Sequence, residues 1–254
     1  MMQKINAEVV SQEKIGTDIY SMWIKAEEMV SCARPGQFVS LYCRDGAKLL
    51  PRPISICEIA KEQGALRIVY RVAGKGTEEF SAYKAGENVS VMGPLGNGFP
   101  LKEGRAILIG GGIGIPPMLE LARQLTGQKQ IVLGYRDSHM FLKEEFEAYG
   151  SVHVATEDGS AGTKGNVLDA IRTEGLQADV IYACGPTPML KAIQAYAAES
   201  GTEAWISLEE RMACGVGACL ACVCKSKEKD EHTNVNNKRI CKDGPVFRAE
   251  EVTL

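Results

Sequence analysis

A chain of 254 residues, 45% hydrophobic and 24% charged, is long enough for two ordinary domains and far from the composition of a disordered segment. Its net charge of −3, with no basic stripe, argues against a nucleic-acid partner. No apolar run follows the N-terminal lysine as a signal peptide requires, and the longest nearly uncharged stretch, 106–119, falls short of the about 20 residues of a membrane span. A cytoplasmic protein is the simplest reading, and in that compartment nine cysteines stay reduced.

The first hundred residues read as β. Segments 7–10, 19–25, 38–42, 55–59, 65–72 and 88–92 are short and rich in β-branched and aromatic residues, and Gly/Pro turns such as Arg34-Pro35-Gly36 separate them. That spacing predicts a small antiparallel barrel. Cys32, Cys43 and Cys57 lie isolated in apolar surroundings and read as small buried hydrophobes. Two tetrapeptides stand out here. Arg52-Pro53-Ile54-Ser55 offers an arginine for a phosphate and a hydroxyl for a heterocycle nitrogen, although Arg52 also fits a plain surface arginine. Gly74-Lys75-Gly76-Thr77 opens a short helical stretch, 78–83, whose N-terminus suits phosphate.

The run 94–100, dense in Gly and Pro, marks a boundary, and from Arg105 the rhythm turns to strand–helix alternation. Strands are expected at 106–109, 130–134, 152–155, 180–183 and 204–208, with helices at 116–125, 142–149, 167–173 and 188–199. Such alternation implies a doubly wound parallel sheet with ligands at the carboxyl ends of its strands. Between the first strand and first helix stands Ile109-Gly110-Gly111-Gly112-Ile113-Gly114-Ile115-Pro116-Pro117, where glycines let the backbone approach a pyrophosphate. It departs from G-x-G-x-x-G, since Pro117 replaces the third glycine, and a tight structural turn is the plainer alternative. Cys184-Gly185-Pro186 ends the fourth strand and should flank the same cleft. Arg136 and Asp137 follow the second strand, one suited to a 2′-phosphate and the other to a ribose hydroxyl.

The last 46 residues, from Glu209, are too few for a core of their own and carry Cys214, Cys219, Cys222 and Cys241. C-x4-C-x2-C with a distant fourth cysteine is the plant-type spacing for a 2Fe–2S cluster. Small residues between the thiolates let N–H groups turn toward sulfur. A four-thiolate zinc site is the rival, although zinc ribbons favour two CxxC pairs. Cys224, two residues on, should point away from the loop. The charged run 225–231 reads as a solvated hairpin tip that returns Cys241 to the others.

Taken in order, these motifs resemble the ferredoxin–NADP reductase superfamily. The segment from Leu208-Glu209-Glu210-Arg211-Met212 through Cys224, with Ile240 to Phe247, is similar to the electron-transfer subunits of type B, NAD-linked dihydroorotate dehydrogenases. The resemblance covers essentially the whole chain. It implies an FAD-binding β-barrel (1–100), an NAD-binding α/β domain (101–208) and a 2Fe–2S lobe (209–254). By similarity Arg52 meets the FAD pyrophosphate, with Pro53 and Ile54 beside it and Ser55 near the flavin N5. Val69, Tyr70 and Arg71 then line the isoalloxazine and ribityl chain, and Gly76 and Thr77 the phosphates. Gly111, Gly112 and Gly114 meet the NAD pyrophosphate, Cys184, Gly185 and Pro186 border the nicotinamide, and the four cysteines bind the cluster.

The resemblance further implies a partner: an FMN-containing catalytic subunit that oxidises dihydroorotate, joined in a heterotetramer of two plus two. Electrons then pass through the cluster and FAD to NAD+ in de novo pyrimidine biosynthesis. Flavin is the necessary link, since nicotinamide exchanges a hydride and the cluster one electron. Two other readings stay open: the reductase subunit of a related complex, such as a ferredoxin-dependent transhydrogenase or hydrogenase, and a zinc-bearing interaction module without catalysis. No acid–base catalyst is expected, and His139, His153 and His232 fall outside every motif.

Overall fold

A computed structural model describes residues 2–229 and 234–254. Six strands, β1 (Gln3–Gly16), β2 (Ile19–Lys25), β3 (Phe38–Tyr42), β4 (Arg52–Ala60), β5 (Ala65–Arg71) and β6 (Asn88–Leu95), close an antiparallel barrel in the order β1-β2-β5-β4-β3-β6. Two short helices, α1 (Glu27–Val30) and α2 (Lys75–Ser81), lie in its connections. The barrel core is aliphatic, with Val39, Leu41, Ile56, Leu66 and Ile68 fully buried, each worth about 1.5–3 kcal/mol. β1 is 14 residues long where a strand is expected only at 7–10. Its first half pairs with β6 and its second with β2, so it serves two neighbours, and its polar outward face hides that length in the sequence. Of the three isolated cysteines only Cys57 is fully buried; Cys32 and Cys43 are half-exposed.

The following sheet has seven strands. β7 (Ala106–Gly111), β8 (Lys129–Tyr135), β9 (Ser151–Thr156), β10 (Thr163–Lys164), β11 (Val180–Cys184) and β12 (Glu203–Ser207) alternate with α3 (Pro116–Gln124), α4 (Lys143–Phe146), α5 (Val167–Thr173) and α6 (Thr187–Ser200). These six strands run parallel in the order β10-β9-β8-β7-β11-β12. Successive residues feed opposite cores: Ile107 and Ile109 pack with α5 and α6, Leu108 with α3. The helix expected over 142–149 shrinks to one turn, since Leu142 enters it from a left-handed φ of 64°. Chain order reverses between β7 and β11, which lie side by side, Gly110 opposite Cys184. The glycine turn and the Cys-Gly-Pro turn therefore leave the same sheet edge as neighbours.

From β12 the chain runs to Val223 without helix or strand, then forms β13 (Val223–Ser226), β14 (Asn237–Arg239), β15 (Val246–Arg248) and β16 (Val252–Thr253). β13 pairs with β14 and β16, while β15 adds antiparallel to β12 as an edge of the nucleotide sheet. The lobe is thus stitched into the α/β unit. β13 and β14 form the arms of the expected hairpin, and residues 230 and 231 of its charged run, with His232, lie outside the described residues. Among the described residues no helix is long and apolar enough to cross a membrane.

Candidate functional site

Two sites adjoin the barrel. The first is a cleft of about 520 Å3 at the carboxyl edge of the parallel sheet, within the usual range for a cofactor pocket. Gly111, Gly112 and Pro186 form one wall, Tyr135 to Asp137 and Asn166 another, and Arg71 with the Gly16–Ile19 turn reaches in from the barrel. Gly112 faces the opening with φ +54°, and a Cβ there would come within 3.9 Å of Arg71 Nη2. Gly114 does something else. It is buried, and a Cβ on it would strike the Cys184 carbonyl and stand 2.6 Å from the Gly185 nitrogen. The absence of a side chain there lets the two turns pack closely.

Cys184 and Gly185 are likewise enclosed; only Pro186 of that triplet lines the cleft. Burial raises the Cys184 thiol, the nearby charge of Glu209 adds to this, and a hydrogen bond with Ser207 opposes it. Glu209, immediately beyond β12, is open to solvent on one side yet closely surrounded on the others. Desolvation raises its carboxyl and the charge of Arg71 pulls it back. Asp137 accepts hydrogen bonds from the backbone N–H of His139 and from its Nδ1, both at 2.8 Å, and these hold it below the usual carboxylate range. The cleft therefore carries an oriented, ionised aspartate, with Glu157 also on its wall.

The barrel residues divide by strand alternation. Ser40 pairs with Pro53 and Phe38 with Ser55, so Pro53 and Ser55 share the outer face of the barrel, while Ile54 packs against the interior. Arg52 donates to the carbonyl of Leu50 and lies over Gly76, where any Cβ would fall inside the guanidinium. Thr77 Oγ1 is spent on its own turn, accepting from Ala73 N–H at 2.9 Å and Gly74 N–H at 3.2 Å. What Gly76 and Thr77 offer a phosphate is therefore their first-turn N–H groups, beside Arg52. Val69 and Tyr70 are both buried, and the Tyr70 hydroxyl donates to Gln12 Oε1 at 2.7 Å inside the barrel. Arg71 alone of those three lines the cleft.

The second site is the cysteine loop. Gly215 and Gly217 have φ of 70° and 85°, and the loop's N–H groups turn inward. Val216 and Ala218 donate to Cys214 Sγ at 3.4 and 3.3 Å, Gly217 to Cys241 Sγ at 3.1 Å, and Cys241 N–H to Cys222 Sγ at 3.4 Å. Against burial, which raises it, such bonds hold the Cys214 thiol down to about 6. Burial pushes Cys241 up to about 12, reinforced by Cys222 and Cys214, a repulsion that a bound cation relieves. Cys219 lowers the Cys214 thiol by a hydrogen bond, and Cys222 is the largest thiol influence on Cys241. Two pairs suit two irons. Cys224 lies on β13, half-buried beyond the loop.

Sequence reasoning passed over Asp18, His139, Glu157 and Glu209. Glu209 had a signal in the Leu208–Met212 motif and His139 in its place two residues past Asp137; Asp18 and Glu157 reach the cleft through loops distant in sequence.

Residues 209–253 match the family described as the iron–sulfur cluster binding domain of dihydroorotate dehydrogenase B, and 108–195 match the oxidoreductase NAD-binding domain. Over 257 residues the chain is 47% identical to the dihydroorotate dehydrogenase B (NAD(+)), electron transfer subunit, of Geobacillus kaustophilus (strain HTA426), covering 97% of each. With the protein of the same name from Bacillus cereus (strain B4264) it shares 44% identity over 263 residues, 100% of each. A solved NADH-dependent reduced ferredoxin-NADP oxidoreductase superposes with a TM-score of 0.88 at 34% identity, over 98% of this chain and 90% of that one. The flavohemoglobin of Malassezia yamatoensis, solved with FAD and heme, shares the fold at a TM-score of 0.67 and 21% identity, over 78% of this chain and 57% of that one.

Proposed function

The chain belongs to the electron transfer subunits of dihydroorotate dehydrogenase B (NAD+), and from that membership we propose which of its residues hold each cofactor. It is an oxidoreductase subunit that relays electrons through a 2Fe–2S cluster and FAD to NAD+, and it works with a catalytic partner subunit in pyrimidine biosynthesis. When bound, FAD exchanges a hydride with nicotinamide and single electrons with the cluster.

In this reading 1–100 is the FAD barrel, 101–208 the NAD unit and 209–254 the cluster lobe, with β15 lent back to the NAD sheet. Arg52 and the N–H groups of Gly76 and Thr77 hold the FAD pyrophosphate. Pro53, Ile54 and Ser55 carry the flavin along β4, with Ser55 toward N5, and Val69 and Tyr70 offer main chain beside Arg71. Gly111 and Gly112 receive the NAD pyrophosphate, while Gly114, Cys184 and Gly185 keep that wall closed and Pro186 faces the nicotinamide. Asp137, oriented by His139, takes the adenosine ribose and repels a 2′-phosphate. Cys214 and Cys219 hold one iron, Cys222 and Cys241 the other.

The observation that carries this reading is the position of the barrel. Arg71 of β5 enters the nucleotide cleft, while Leu95 of β6 belongs to the same buried core as Cys222 and Cys241. A flavin on that barrel stands between both sites. Around Cys219 the loop exposes Val216, Leu220 and Val223, an apolar patch suited to the catalytic partner. That partner carries FMN, the assembly is a heterotetramer of two plus two, and it works in the cytoplasm. The purified chain should pass electrons from NADH to an artificial acceptor and leave dihydroorotate untouched. Dihydroorotate turnover by the chain alone overturns the division of labour, and co-purification with a ferredoxin-linked partner in place of the FMN subunit overturns the assembly.

A further inference from the structure

Ser40 sits in the middle of β3, 1% exposed, and its hydroxyl has no hydrogen-bond partner among the described residues. Its neighbours Val39 and Leu41 point into the barrel core, so strand alternation turns Ser40 outward with Phe38. What covers it there is the cysteine loop. A Cβ on Gly215, the residue after Cys214, would stand 3.1 Å from Ser40 Oγ, 3.4 Å from Leu95 Cδ1 and 3.7 Å from Met92 Cε. The barrel thus presses one polar atom, set among apolar ones, against the loop.

A buried hydroxyl without a partner is costly, so its partner should be something that completes this site. Among the described residues, the backbone N–H groups that reach cysteine sulfur all come from the lobe itself. Ser40 is a donor approaching from the other side. Sulfur at an iron–sulfur centre accepts such bonds, and they strengthen as the centre gains an electron, which raises its potential.

We propose that Ser40 donates its hydroxyl proton in a hydrogen bond to a sulfur of the 2Fe–2S cluster on the Cys214 side and so holds the cluster potential up. This rests on the reading that the four cysteines carry that cluster. It also gives β3 a role beyond the barrel wall: Ser40 pairs with Pro53, so the strand that touches the cluster adjoins the strand that carries the flavin, about 4.8 Å away.

The test is an anaerobic redox titration of the full chain loaded with FAD and cluster, followed by electron paramagnetic resonance, for wild type and Ser40→Ala. At the wild-type midpoint the variant should show an about tenfold lower ratio of reduced to oxidised cluster, a shift of about −59 mV for a one-electron couple. One exchangeable-proton coupling, seen by comparing H2O with D2O, should vanish with it. Ser40→Cys, a weaker donor that fills the same space, should shift the midpoint less in the same direction. Unchanged midpoints in both variants, with the proton coupling retained, overturn the proposal. A wild-type chain that holds no cluster sinks the underlying reading instead, and the two failures cannot be confused.

Discussion

The nucleotide cleft hangs largely from strand ends and helix starts of a sheet packed on both faces, with Arg71 and the Gly16–Ile19 turn added by the barrel. The cysteine loop runs from Leu208 to Cys222 with no helix or strand, and its small exposed residues pack little of themselves. The cleft is shaped by apolar burial before any ligand arrives. The loop carries three of the four thiols and Cys241 lies beyond it, where the charges of Cys222 and Cys214 raise its thiol, a repulsion that a bound cation relieves. One site is held by its core and the other by its metal.

The largest effect should come from cutting the metal link. Cys222→Ser should abolish the visible and paramagnetic signature of the cluster while flavin-dependent oxidation of NADH with an artificial acceptor survives. Loss of FAD and NADH oxidation together with the cluster breaks the contrast between the sites. Next comes Gly76→Ala, which displaces Arg52 and should weaken FAD binding about 10- to 100-fold, measured by flavin retention on dialysis. The cluster signal should stay.

How far these sites could be read from residues alone follows the same divide. Spacing along one short segment encodes the cysteine set, because ligand chemistry is local, and in the structure Cys241 Sγ accepts the Gly217 N–H of that segment while its own N–H reaches Cys222 Sγ. The glycine turn and Cys-Gly-Pro turn were legible as neighbours, since parallel strands fix their edge. How tightly they pack was not: Gly114 and Cys184 are buried where the two strand ends approach. Tyr70 likewise turns inward by strand alternation from a register that no motif reveals. Ser40 carries no local signal at all: it acquires its setting from a loop about 175 residues away.

Two smaller effects sharpen the cleft side. Asp137→Asn should raise the preference for NADPH relative to NADH by about tenfold in kcat/KM, as a negative charge facing the 2′-phosphate is lost. Glu120 of α3 is buried and accepts the Ile59 N–H of β4 at 2.9 Å, tying the nucleotide unit to the flavin strand. Burial raises its carboxyl, opposed by hydrogen bonds from Gln124 and Ile59 and by the charge of Arg123, with Glu58 adding a small rise. The folded chain therefore binds this proton more tightly than the unfolded one. Stability falls as pH rises from about 4.3 through the raised folded value, then levels off. Glu120→Gln removes that dependence, so urea midpoints between pH 4 and pH 7 should decline less in the variant than in wild type.

The most direct test of the relay is an anaerobic titration of the loaded chain with NADH. The flavin absorbance should bleach, and the paramagnetic signal of a reduced 2Fe–2S cluster should grow from the same additions. If NADH bleaches the flavin while the cluster stays oxidised, although dithionite reduces it, the barrel does not connect the two sites.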